Sequence, residues 1–161
     1  MGIEMPKLPP LILLVEDEAD LRELITDIAG EAGLRMEVAS TYPDGVALLN
    51  ASQPTLLIAN VMLPGGDGHK LAEVARRFDV PTLLISGHPE VIWEDKARGV
   101  AFLAKPFRVD ELQRVIRSFI EDPTRLPDSH DSSPPGGRGN TWQPRHHATV
   151  EAGLANSSQA L

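Results

Sequence analysis

A chain of 161 residues is long enough for one ordinary domain whose core needs no metal or disulfide staple. It contains no cysteine, which excludes structural disulfides, thiolate metal sites and thiol catalysis and is compatible with a reducing compartment. A formal charge of -8 without clustered Lys or Arg argues against binding a nucleic-acid backbone.

Residues 1–9, "MGIEMPKLP", form a Pro-punctuated leader with neither the basic flank nor the apolar stretch of a signal peptide, and Pro6 stands where a myristoylation signal wants Ser or Thr. No later run approaches the roughly 20 apolar residues of a membrane span, so a cytoplasmic protein is expected. "LILLV" (Leu11 to Val15) is an unbroken apolar run that ends in Glu16, Asp17 and Glu18, the pattern of a strand buried on both faces. Leu21, Leu24, Ile25, Ile28, Ala29 and Ala32 then recur at helical spacing, and Gly33 supplies the stop.

The alternation repeats. "MEVA" (Met36 to Ala39) reads as a strand, "YPDGVALLN" as a helix begun near Thr41, "TLLIAN" as a strand ending at Asn60, and "GHKLAEVARRF" as a helix. "TLLIS" (Thr82 to Ser86) is the next strand, followed by a helical stretch around Val91 to Ala97, a strand from Val100 to Ala104 and the helix "RVDELQRVIRSFIED". Five strands alternating with five helices through short loops predict an α/β domain over residues 10–121, a parallel sheet with helices on both faces. Such sheets do their chemistry at the carboxyl ends of the strands.

From Asp122 to Leu161 the chain is rich in Pro, Gly, Ser and polar residues, with no period beyond a short turn near Val150 to Leu154. Ordering it would cost roughly 1 to 2 kcal/mol per residue of backbone entropy with little apolar burial in return, so a disordered tail is expected. His146, His147 and Trp142 in this tail read as solvated, with a binding motif as the alternative, and His88 as a solvated loop residue.

At the expected strand ends stand Glu16 and Asp17, Asn60, Ser86 and Lys105, which a parallel sheet with its first strand central brings into one cleft. Two adjacent carboxylates, a third oxygen ligand and a backbone carbonyl make the hard oxygen site that magnesium takes. A hydroxyl and an ammonium opposite such an ion could hold the oxygens of a phosphoryl group.

"LLVEDE", "LLIANVMLPGGDG", "LLISG" and "FLAKPF", in this order, resemble the four motifs of the response-regulator receiver domain of two-component systems. The resemblance implies a flavodoxin-like sheet of order 2-1-3-4-5. It implies that Glu16 and Asp17 hold magnesium together with the residue at Asn60 and the backbone carbonyl of Met62. It further implies that Ser86 is the switch hydroxyl, Phe102 the switch aromatic, and Lys105 the phosphate-contacting cation, aimed by a cis peptide before Pro106. The interval from Ser86 to Lys105 is about one helical turn shorter than is usual in the family, so the fourth helix, which carries Trp93, is expected to be short or irregular.

The family's phospho-acceptor aspartate matches Asn60. An uncharged amide is no nucleophile toward phosphorus and forms no acyl phosphate, and Ala59 and Val61 offer no substitute. Loss of a carboxylate predicts weakened magnesium binding, with the amide either ligating through its oxygen or hydrogen-bonding Lys105 and the acids. The expected function is that of a stand-alone, non-enzymatic receiver that acts by binding a histidine kinase, a phosphotransfer protein or another regulator. The rival within the family is an ordinary phospho-accepting receiver carrying an engineered Asp-to-Asn block. A magnesium-dependent phosphohydrolase on the same fold would need a D-x-D nucleophile arrangement, which "VEDEAD" does not supply after the first strand, and a flavodoxin-like cofactor binder would meet repulsion between those acids and its phosphate.

Overall fold

The computed structural model describes residues 2, 8–87, 100–122 and 141–142. Its elements are β1 (Leu11–Val15), α1 (Ala19–Glu31), β2 (Arg35–Ala39), α2 (Tyr42–Ser52), β3 (Leu56–Asn60), β4 (Met62–Leu63), β5 (Gly66–Asp67), α3 (Gly68–Arg77), β6 (Thr82–Ser86), β7 (Ala101–Ala104), β8 (Phe107–Arg108), α4 (Val109–Glu121) and β9 (Thr141–Trp142). The short helix expected over residues 91–97, with His88 and Trp93, lies outside the described residues, so α4 corresponds to the last of the five expected helices. His146, His147 and the expected turn at 150–154 lie outside them as well.

Five strands form one parallel sheet in the order β2-β1-β3-β6-β7, the flavodoxin-like order expected. Because side chains alternate across a strand, each central strand feeds two cores. Ile12, Leu14, Leu56, Ile58, Leu83 and Ile85 face α1 and α4, where they meet Leu21, Ile25, Leu112, Ile116 and Phe119. Leu13, Val15, Leu57, Ala59 and Leu84 face α2 and α3, against Leu49, Leu71 and Ala75. Each such Leu or Ile taken fully from water contributes about 1.5 to 3 kcal/mol, which is why these unbroken apolar runs settle in the middle of the sheet.

Local chemistry sets the element boundaries. Thr41 caps α2 by accepting from the Asp44 N–H at 3.3 Å, and Asp67 caps α3 by accepting from the Lys70 N–H at 2.8 Å. Gly33, at φ 75°, takes the left-handed position that stops α1, and the Leu34 N–H returns to the Ala29 carbonyl at 3.0 Å. The leader is tied down at its end, where the Pro9 and Pro10 carbonyls accept from Arg35 at 2.8 and 3.0 Å.

Two features were not expected from the sequence. The loop after β3 folds into a two-residue antiparallel hairpin, β4 with β5. Within the segment expected to be a disordered tail, Thr141 and Trp142 pair with β8.

Candidate functional site

The sheet register assembles the cleft. Val15 lies beside Ala59 across the β1–β3 pair, so the next residue of each strand, Glu16 and Asn60, emerges at the same end. Asn60 pairs with Ile85, which sets Ser86 one step further along, and Ser86 pairs with Ala104, which delivers Lys105. Backbone bonds continue the ladder past the strand ends, from Glu16 N to Ala39 O at 3.0 Å, Val61 N to Ile85 O at 3.0 Å and Lys105 N to Ser86 O at 2.8 Å. The polar residues therefore stand on the rigid edge of the sheet.

Asn60 is the centre of the network. Its Nδ2 group donates to Glu16 Oε1 and to Asp17 Oδ1, each at 3.1 Å. Glu16 is fully buried, and its Oε1 also accepts from the Glu18 N–H at 3.0 Å. Its other oxygen, Oε2, has no hydrogen-bond partner among the described residues and lies 3.5 Å from Lys105 Nζ, within ion-pair range. Lys105 is also 3.7 Å from Glu18 Oε1, so one largely buried ammonium serves two carboxylates.

Burial raises the Glu16 carboxyl to about 7, because desolvation penalises the charged form more than the Lys105 ammonium and the Glu18 backbone N–H favour it, and neighbouring Asp17 pushes in the same direction as burial. Near neutral pH this acid sits between its two protonation states.

Ser86 is buried and Phe102 half-buried, the latter against the α2–α3 core. The Lys105–Pro106 peptide is cis, as the motif implied. Met62 exposes its side chain and follows Val61, whose carbonyl accepts from the Gly68 N–H at 2.8 Å. Asp67 is committed to its helix cap.

Two contributors escape a reading of the sequence. Arg22, one turn into α1, reaches back with Nη1 to the Glu16 carbonyl at 2.8 Å and the Asp17 carbonyl at 2.9 Å, clamping the acidic loop. Glu18 supplies the second carboxylate to Lys105. Arg22 reads simply as a polar residue in an amphipathic helix, and only its spacing of five and six residues from the two acids could have hinted at the contact.

Comparison with known proteins places the fold in a family. The family model for the response regulator receiver domain matches residues 12–117. The chain belongs to the response regulator receiver family. Among its relatives, the phosphate regulon transcriptional regulatory protein PhoB of Klebsiella pneumoniae is 32% identical over 118 residues, covering 68% of this chain and 51% of the relative. The transcriptional regulator RpaA of a Synechocystis strain is 28% identical over 127 residues, covering 73% and 52%. The chain thus spans about half the length of these curated relatives. Among solved structures, the receiver domain of the Francisella response regulator 1452 superposes with a TM-score of 0.62 at 27% identity, covering 69% of this chain and 94% of that one. A response regulator from Chloroflexus aurantiacus, at 24% identity and a TM-score of 0.64 with 70% and 98% coverage, shares the fold.

Receiver domains in general bind Mg2+ in the acidic pocket. Such an ion takes oxygen lone pairs. In this receiver Asn60 turns N–H groups toward both acids and fills lone pairs an ion would use. As arranged, one oxygen of each acid is taken by the amide while Glu16 Oε2 has no hydrogen-bond partner among the described residues, so Glu16 and Asp17 are the residues that would hold a divalent ion and the pocket fits one poorly.

Proposed function

We propose that this receiver of two-component signalling works without being phosphorylated, its message carried by protein binding. Receiver domains interact with histidine kinases and other regulators, and a partner of that kind, a phosphotransfer protein included, is the binding target. The observation that carries the reading is the double hydrogen bond from Asn60 to Glu16 and Asp17. In the family's pattern Asn60 occupies the acceptor position. An amide there has no charge with which to attack phosphorus, and its two N–H groups stand in for the cation that would otherwise hold the acid pair together. The reading assigns Ser86, Phe102, Lys105 and Pro106 to the remains of the switch, and Glu16, Asp17, Asn60 and the Met62 carbonyl to a magnesium site weakened by the missing carboxylate.

A two-state protein responds only to a ligand that binds one state better, so with phosphate removed the partner itself must supply that difference. Capture from the native host by wild-type protein and by Asn60→Asp, with identification of the captured proteins, tests this. The wild type is expected to retain a histidine kinase, phosphotransfer protein or regulator. Retention of such a partner by the Asn60→Asp form alone would overturn the reading.

A further inference from the structure

We infer that the backbone edge of β8 is a strand-docking surface and that the chain's own segment Thr141–Trp142 is its occupant. The two segments run antiparallel, with Phe107 opposite Trp142 and Arg108 opposite Thr141. Among the described residues β8 pairs with no strand other than β9 and stands apart from the five-stranded sheet. Its position links the site to the last helix: β8 follows directly on Lys105 and Pro106 and leads into the first turn of α4.

Chain length permits the return. The helix α4 carries the chain away over about 20 Å. Residues 123–140 can span up to roughly 60 Å when extended, several times that distance. A two-residue ladder is weak by itself. Tethered through a Pro- and Gly-containing linker, however, the segment reaches its partner at an effective concentration on the order of millimolar. The inferred device is therefore a cover: an external extended segment that adds as a strand to β8 must first displace the tail, by main-chain pairing of the kind used in β-augmentation.

The absence of native cysteine allows a direct test on the full chain. Directly opposed residues of an antiparallel pair lie about 4.5 to 5.5 Å apart at Cα, inside the range a disulfide accepts. In dilute protein under mild oxidant, R108C/T141C is expected to close internally about tenfold faster than E73C/T141C, whose first position is an exposed site on α3 packed against the other face of the sheet. Equal rates would overturn the inference, and so would cross-linking between two copies in place of internal closure. Amide exchange supplies the independent check. The amide of residue 107 is expected to exchange several-fold faster in T141P/W142P, in which both tail N–H groups are gone, than in wild type, while that of residue 108, which donates to Glu111 Oε2, serves as an internal reference. Unchanged exchange at residue 107 would equally reject the cover.

Discussion

Glu16 is the residue whose chemistry depends most on its surroundings. It is buried, holds the Asn60 amide on one oxygen, and has the Lys105 ammonium 3.5 Å from the other, which makes no hydrogen bond among the described residues. Its pKa, raised from 4.5 to about 7, means that the folded state binds a proton more tightly than the unfolded chain does. Stability from this group is fully present below pH 4.5 and is lost as pH rises through about 7. Its full extent is about 3 kcal/mol, at 1.36 kcal/mol for each unit of pKa difference. Urea denaturation of wild type at pH 5 and pH 8 should show stability falling with pH, and Glu16→Gln should flatten that slope. An unchanged slope in the variant would assign the dependence to other groups. At the same scale, Arg22→Ala removes two hydrogen bonds from a charged donor to the carbonyls of the acidic loop. A loss of about 1.5 to 3 kcal/mol is expected, with amide chemical shifts changing most at residues 16 to 18.

Among the elements, the β4–β5 hairpin and the start of α3 press against the end of β3. A Cβ built on Gly68 would press into the Asn60 carbonyl oxygen and lie 3.0 Å from Val61 Cα, backbone atoms that cannot turn aside as a side chain can. Gly68→Ala is therefore expected to cost about 1 to 3 kcal/mol or more and to shift Asn60 itself, which denaturation together with NMR of the Asn60 side-chain amide would register. A silent Gly68→Ala would mean that this contact is looser than the geometry implies. The large elements were legible because their signals are long: unbroken apolar runs for β1, β3 and β6, helical periodicity stopped by Gly33 for α1, and a start at Thr41 for α2. The pairs Met62–Leu63, Gly66–Asp67 and Phe107–Arg108 are too short to carry a period, and their pairing is decided by tertiary contact. For the same reason Thr141–Trp142 read as part of an unstructured tail.

Over the whole molecule, one parallel sheet with a core on each face presents its strand ends as a single polar cleft, and strand order alone brings residues as distant in sequence as Glu16, Asn60 and Lys105 together. That assembly was readable from four motifs in order. What could not be read was the direction of the Asn60 amide, because sequence spacing leaves open whether an oxygen or an N–H group faces the acids. The structure has the N–H groups facing them, so one oxygen of Glu16 and one of Asp17 are taken by the amide. The proposed independence from phosphate rests on that one orientation together with the proposed placement of an amide, which is no nucleophile, at the acceptor position. Its most direct test is intact-mass analysis of the full chain after incubation with a small-molecule phosphodonor and Mg2+. Wild-type protein is predicted to gain no phosphoryl group while Asn60→Asp gains one; a phosphoryl group on the wild type, mapped to the cleft, would contradict the account.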